Sequence, residues 1–184
     1  MGLRAGDLAV LGVRAALGGT LFAHGAQKLF GWFGGGGPEG TAQAFDQMGH
    51  RPGHVTARAA GVAEAAGGAG LALGLATPAS AAAVAGTMGV AAELHSPNGF
   101  FNANGGLEYP ALIGLTAMSI IVSGPGKVSL DHATCHVLDR PWMRAVAFAA
   151  VVPAVGVVVA RRRAALAAAE RDSESGGSGT AEQN

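Results

Sequence analysis

Residues 8–34 read LAVLGVRAALGGTLFAHGAQKLFGWFG, and this segment indicates which class of protein the chain belongs to. A helix that crosses the hydrocarbon of a bilayer needs roughly 20 mainly apolar residues, and this segment supplies them. It also carries Arg14, His24 and Lys28, which are costly in lipid unless they face protein or water. At about 100° per residue these three side chains share one helix face. The segment therefore predicts a membrane-spanning helix whose polar stripe either faces the interior of a bundle or snorkels to the interfaces.

The composition also indicates a membrane protein. Hydrophobic residues make up 49% of the 184 residues and charged residues only 13%, against about 25% charged residues in soluble domains. The 31 glycines suit helices that pack closely through small residues. The formal net charge is zero, and no basic face with interleaved aromatic residues predicts a nucleic-acid partner. The single cysteine, Cys135, excludes an intrachain disulfide and a CxxC redox pair.

Further apolar segments follow the first one. We expect the second span at residues 55–76, the third at 79–94, the fourth at 109–124 and a fifth at 142–160. Because only a very short turn separates the second span from the third, these two must be antiparallel neighbours. The predicted fold is all-α: a transmembrane helical bundle with four core helices plus a fifth C-terminal hydrophobic helix.

This organisation divides the chain into three parts. Residues 1–131 form the four-helix bundle, residues 132–163 hold a linker and the fifth helix, and residues 164–184 form a polar tail that begins helical and becomes disordered. Three arginines at 161–163 favour a cytoplasmic C-terminus by the positive-inside rule. If the fifth segment does not cross, the remaining basic residues favour a cytoplasmic N-terminus instead, so the orientation stays open.

Acidic and basic side chains of the predicted spans are expected to gather in one half of the membrane. His24 and Glu64 lie about 5 Å apart in depth at 1.5 Å of rise per residue, and they form the candidate proton-handling pair. Lys28 and Glu93 would order a pocket between the helices, since charges in lipid are tolerated when they pair with one another. A protonated Glu64 bonded to a backbone carbonyl is the structural alternative. Residue spacing does not decide between a proton relay, a small-molecule pocket and a buried structural network.

The loop before the fourth span is rich in turn residues but also contains aromatic ones, so it should fold back onto the bundle. Trp32, Phe100 and Phe101 would line an entrance for a flat apolar ligand. Glu108 stands at the start of the fourth span, where an acid also suits the helix N-terminus electrostatically. The residues expected to contact a ligand are Lys28, Trp32, Glu93, His95, Phe100, Phe101 and Glu108.

Residues 132–136 read HATCH and contain metal-ligating residue types. Three such residues on a short helix lack the fourth ligand of a structural zinc site. The sequence therefore predicts no metal site.

Five segments occur in a distinctive order: RAALGGTLFAHGAQKLFGWFG, GVAEAAGGAGLALGL, ELHSPNGFF, LEYPAL and GPGKVSLD. Over residues 8–131 the chain resembles the DoxX family of small bacterial integral membrane proteins. The resemblance implies a four-helix transmembrane bundle in the cell membrane. Related members are described as quinone-linked or thiol-redox partners, including a subunit of thiosulfate:quinone oxidoreductase. The chain departs from the family pattern after Asp131, where the fifth helix and a basic segment are added.

The function expected from the charged half-bundle and from this resemblance is that of a membrane component of a redox or oxidative-stress system, linked to a quinone or to thiols. Its expected partners are the lipid bilayer, a soluble redox enzyme and a second copy of the chain, and a quinone is the candidate cofactor. A haem held by His24 and His95 is a further alternative. Two other functions stay open: a non-catalytic scaffold that docks a soluble enzyme, and a small transporter. Whether the chain is an enzyme also stays open.

Overall fold

The computed structural model describes residues 2–178, with side chains to residue 173, and helices are the regular secondary structure of this part of the chain, with no strands in it. The predicted all-α class is therefore confirmed. Its seven α-helices are α1 (Ala5–Phe30), α2 (Gly37–Gln47), α3 (Gly53–Leu73), α4 (Thr77–His95), α5 (Glu108–Ser123), α6 (Leu130–Ala133) and α7 (Pro141–Ser178). The predicted polar tail at 164–184 lies partly outside the described residues, and α7 extends through residues 164–178.

The five long helices alternate in direction between two ends of the bundle. α1 packs on α3, α3 on α4, and α4 on both α5 and α7. We call the end with the α3–α4 turn and residues 124–131 the turn end, and the end with α2 and residues 96–107 the loop end. α1, α4 and α7 run from the turn end to the loop end, and α3 and α5 run back. Their buried apolar side chains form one core, which includes Leu21, Leu71, Val84, Ala117, Ile121 and Val151.

Glycines bring α1 and α3 into close contact. A Cβ atom added at Gly18 would collide with the carbonyl oxygen of Gly68, and one added at Gly25 would collide with the backbone of Ala65. The two backbones thus touch at two levels, as small residues permit in membrane helices. This contact fixes the register in which the polar residues of α1 meet α3.

Arg14 closes the turn end from inside the bundle. Its side chain is fully buried, and its guanidinium donates hydrogen bonds to the carbonyl oxygens of Leu71 and Ala72, each at 3.2 Å, and to that of Val128. The last carbonyls of a helix have no partner within the helix, so Arg14 satisfies part of the C-terminus of α3. Of the two sequence interpretations of Arg14, snorkelling to the interface is wrong, and the side chain faces the bundle interior.

Asp131 caps the next helix at the same end. Its carboxylate, which is also fully buried, accepts hydrogen bonds from the backbone N–H groups of Ala76 at 2.9 Å and Thr77 at 2.8 Å. These N–H groups open α4, where an acid is favourable because of the helix dipole. Residues 124–131 are therefore tied to the α3–α4 turn.

α7 runs the full length of the bundle. Near its start, Arg144 pairs with Asp139 at the turn end, and Arg162 reaches Glu93 and the carbonyl oxygen of Met48 at the loop end. Within the described residues, two helices, Ala5–Phe30 and Pro141–Ser173, are long and apolar enough to cross a membrane, and Glu108–Ser123 is a shorter apolar helix.

Candidate functional site

A cavity of about 850 Å³ lies in the half of the bundle toward the loop end. It is lined by residues of α1, α2, α3, α4, α5 and α7, most of them apolar. Its ionisable lining residues are His24, Lys28, Glu64, His95 and Tyr109. Concave, mainly apolar cavities with a few polar groups are typical of small-molecule sites.

An ion pair between Lys28 and Glu64 forms the polar part of the wall. The Lys28 Nζ atom lies 2.5 Å from Glu64 Oε2, and the two side chains are 23% and 7% exposed. The α1–α3 register explains this pairing, because Gly61 lies against the side chains of Lys28 and Leu29. Glu64, one turn further along α3, is then level with the end of the Lys28 side chain.

His24 lines the same cavity one turn before Lys28. Its side chain is exposed, and the carboxylate of Glu64 is bonded to Lys28 rather than to the imidazole. The structure therefore brings His24 and Glu64 to one cavity, with Lys28 as the direct partner of the carboxylate. The sequence analysis expected Lys28 and Glu93 to order the pocket together, but Lys28 pairs with Glu64 instead.

Glu93 does not line the cavity and instead joins α4 to α7. Its carboxylate accepts hydrogen bonds from Arg162 at 3.1 and 3.2 Å and from Arg163 at 3.4 Å. The Nε atom of Arg162 also donates to the carbonyl oxygen of Met48 at 2.8 Å. This cluster fastens the end of α7 over the loop end. Sequence reasoning used the arginines only as an orientation signal and missed their contact with Glu93.

Two predicted ligand contacts order the loop at 96–107. The Nδ1 atom of His95 lies 2.8 Å from the carbonyl oxygen of Gly105, and Glu108 Oε2 accepts a hydrogen bond from the backbone N–H of Asn102 at 3.0 Å. His95 also lines the cavity. Because the Glu108 carboxylate already accepts a hydrogen bond from the loop, its observed contact is structural.

The predicted aromatic entrance lies at the loop end but outside the cavity lining. Trp32 packs against Phe30 with ring centroids 5.2 Å apart, and Phe100 packs edge-on against Phe101 at 5.4 Å. Trp32, Phe100 and Phe101 are all more than half exposed. The aromatic and sulfur-containing residues that line the cavity itself are Phe45, Met48, Met88 and Tyr109.

His50 is a buried titratable group that the sequence analysis missed. It lies between α2 and α3, only 3% exposed, with its ring 5.6 Å from that of Phe45. Burial lowers the pKa of His50 below its ordinary value, and the nearby charge of Arg162 lowers it further, against a smaller opposite effect of Glu93. The ring is therefore held in its neutral form beneath the end of α7.

The polar cluster at the turn end was also missed. Asp139 is buried and bonds to Arg144 and to His136, whose ring meets that of His132. Burial of the Asp139 carboxyl raises its pKa, but hydrogen bonds from Arg144 and His136 outweigh burial, so the net pKa lies below its usual range. No group of three or more metal-ligating side chains occurs among the residues that the structure describes.

The DoxX family model matches residues 9–97. This match confirms the resemblance found in the sequence: residues 9–97 form a DoxX domain, which indicates a membrane protein of the DoxX family. The matched residues cover nearly all of α1 and the whole of α2, α3 and α4, and so include both members of the Lys28–Glu64 pair. No curated protein and no solved structure matches the chain.

Proposed function

We propose that the chain is a multi-pass protein of the cell membrane in which α1, α3, α4, α5 and α7 are spans. The 21 residues of α3 extend about 32 Å at 1.5 Å per residue, close to the ~30 Å of bilayer hydrocarbon. α3 and α4 pack directly against helices that are long and apolar enough to cross. Large apolar side chains also point outward from the bundle, among them Phe22, Val62, Leu115, Val122 and Val152. Such an outer surface suits lipid contact.

The loop end would face the cytoplasm. Basic residues are more numerous there, and the positive-inside rule assigns such an end to the cytoplasmic side. The basic residues of the loop-end half are Lys28, Arg51, Arg58, Arg161, Arg162, Arg163 and Arg171, and those of the turn-end half are Arg4, Arg14, Lys127, Arg140 and Arg144.

For the activity, we propose that the cavity binds a quinone for a redox or oxidative-stress system. The observation that carries this proposal is the cavity of about 850 Å³ with apolar walls and a buried ion pair on one side. A quinone combines a flat apolar body with carbonyl oxygens, which need hydrogen-bond donors. Lys28 and His24 are donors on one wall of this cavity. The DoxX assignment is consistent with such a ligand.

Reduction of a quinone to a quinol takes up a pair of electrons and a pair of protons. His24 and Glu64 would handle the protons, since the exposed imidazole can exchange with water and the carboxylate lies inside the cavity wall. A soluble redox enzyme docked at the loop end would deliver the electrons. Trp32, Phe100 and Phe101, exposed at that end, would guide the ligand in from the interface.

A cavity-filling substitution tests this proposal. Ala63 lines the cavity, whereas Ala66 on the same helix is exposed and does not. We expect Ala63→Phe to weaken binding of a short-chain ubiquinone to the purified chain by about tenfold or more, equal to about 1.4 kcal/mol. Ala66→Phe should leave binding unchanged. Binding that survives Ala63→Phe in a folded variant, or its absence from the unmodified chain, would contradict a quinone in this cavity.

A second candidate function is a scaffold that docks a soluble enzyme without itself taking part in chemistry. The exposed aromatic pair Phe100–Phe101 favours it. In that case Phe101→Ala should abolish crosslinking to the partner, whereas Ala63→Phe should have no effect.

A further inference from the structure

Two histidine nitrogens lie close together at the turn end, away from the cavity. The Nδ1 atom of His132 lies 3.2 Å from Nε2 of His136. His132 is exposed, and the side chain of His136 is 42% exposed. Water and dissolved ions can therefore reach the space between the two rings.

Asp139 fixes the chemical state of one of these nitrogens. Its buried Oδ2 atom lies 2.9 Å from Nδ1 of His136, and its other oxygen accepts a hydrogen bond from Arg144 at 2.6 Å. An ionised carboxylate only accepts hydrogen bonds, so Nδ1 of a neutral His136 carries the proton and Nε2 presents a lone pair to His132. A carboxylate behind a histidine is the arrangement that orients metal-ligating imidazoles in proteins.

The backbone conformation of the residues after α6 brings the rings of His132 and His136 together. Cys135 and His136 both have left-handed backbone conformations, with φ of 53° and 58°. Such conformations are uncommon for residues other than glycine and cluster at functional sites. They end the helical path after α6 and bring the ring of His136 back toward that of His132, with the N–H of His136 bonded to the carbonyl oxygen of Asp131 at 2.6 Å.

We propose that His132 Nδ1 and His136 Nε2 chelate a divalent transition-metal ion, with Asp139 as the residue that positions His136. Metal–nitrogen bonds of about 2.1 Å at angles between 90° and 110° place two nitrogens about 3.0–3.4 Å apart, and the observed separation is 3.2 Å. The imidazole pair selects first-row ions such as Zn²⁺, Ni²⁺ and Cu²⁺ over Mg²⁺ and Ca²⁺. The remaining coordination positions belong to water, because no third side-chain ligand joins the pair among the described residues.

Binding requires little rearrangement. Without a metal, the Nδ1 proton of His132 can be donated to Nε2 of His136. When the ion binds, His132 changes tautomer: Nδ1 gives up its proton to water and Nε2, on the exposed side of the ring, takes one up, so the ring stays neutral and both lone pairs face the metal.

The test is calorimetric titration of the untagged, purified full chain with Zn²⁺ at pH 7.5. We expect one ion per chain, and a loss of affinity of about tenfold or more in His132→Ala. His54→Ala is the matched control, because His54 is also exposed but lies in α3 at the other end of the bundle. Since His132 is on the surface, its removal should not disturb the fold, and circular dichroism checks this.

A second variant, His136→Ala, should lose affinity to the same extent, and Mg²⁺ should not compete with Zn²⁺. The proposal is overturned if the unmodified chain binds no Zn²⁺. It is also overturned if His132→Ala binds as well as the unmodified chain, or if His54→Ala weakens binding as much as His132→Ala does.

Discussion

Replacing Glu64 with Gln should leave the ammonium group of Lys28 without its charged partner inside the bundle. Removing one member of a buried ion pair costs about 3–5 kcal/mol, because the other charge stays desolvated. Lys28 keeps 23% of its side chain exposed, so the lower limit of about 3 kcal/mol applies. At 1.4 kcal/mol per factor of ten, this is about a 100-fold to 200-fold change in the folding equilibrium.

The assay is a double-mutant cycle of Glu64→Gln and Lys28→Met, with unfolding of the purified chain in mixed detergent micelles followed by circular dichroism. The double variant has no buried charge at the pair and should recover most of the stability lost by Glu64→Gln. Glu39→Gln, in the exposed first turn of α2, is the control and should change stability by less than about 0.5 kcal/mol. A coupling energy between Lys28 and Glu64 below about 0.5 kcal/mol would refute the reasoning, since independent sites add to within that error.

Three further predictions concern other parts of the fold. Gly18→Leu should disrupt the α1–α3 contact and lower the melting temperature, whereas Gly12→Leu, which has open space around it, should not; equal effects of both would contradict the packing. His50→Gln should flatten the dependence of stability on pH. Because the folded pKa of His50 is lowered, its contribution is complete above pH about 6.5 and is lost as the pH falls below that value, and thermal unfolding at pH 7.5 and 5.5 measures the difference. An identical slope in the variant would exclude His50 as the cause. Glu93→Gln should speed amide exchange around Arg162, because it removes the negative charge that pairs with Arg162 at the end of α7; unchanged exchange would show that this ion pair contributes nothing.

The helices were predictable from the sequence because their apolar segments are long and are separated by clear turn residues. The register between them was not. The sequence offers Gly67, Gly68, Gly70 and Gly74 as equal candidates for close packing, but Gly68 meets α1, while Gly74 ends α3 with a φ of 65° beside the guanidinium of Arg14. Which glycine faces which helix depends on the rotation of α3, and hydropathy alone does not determine that rotation.

The same limit applies to the candidate site. The sequence grouped His24, Lys28 and Glu64 correctly at one level, because helix periodicity and depth can be counted. It did not pair Glu93 with Arg162, since 69 residues separate them and their meeting depends on where α7 lies. The contact of His132 with His136 depends on two residues with left-handed backbone conformations. No pattern of residue types in the sequence predicts these conformations.

The proposal that five helices cross the membrane in alternating directions is tested most directly by labelling intact cells with a maleimide that does not cross membranes. The native Cys135 is exposed at the turn end, and Ala103→Cys in a Cys135→Ser background places a thiol on the exposed surface of the loop end. We predict that Cys135 reacts in intact cells and that the thiol at position 103 reacts only after the membrane is opened. Equal labelling of both positions in intact cells, or equal protection of both, would contradict an arrangement with its two ends on opposite sides of the membrane.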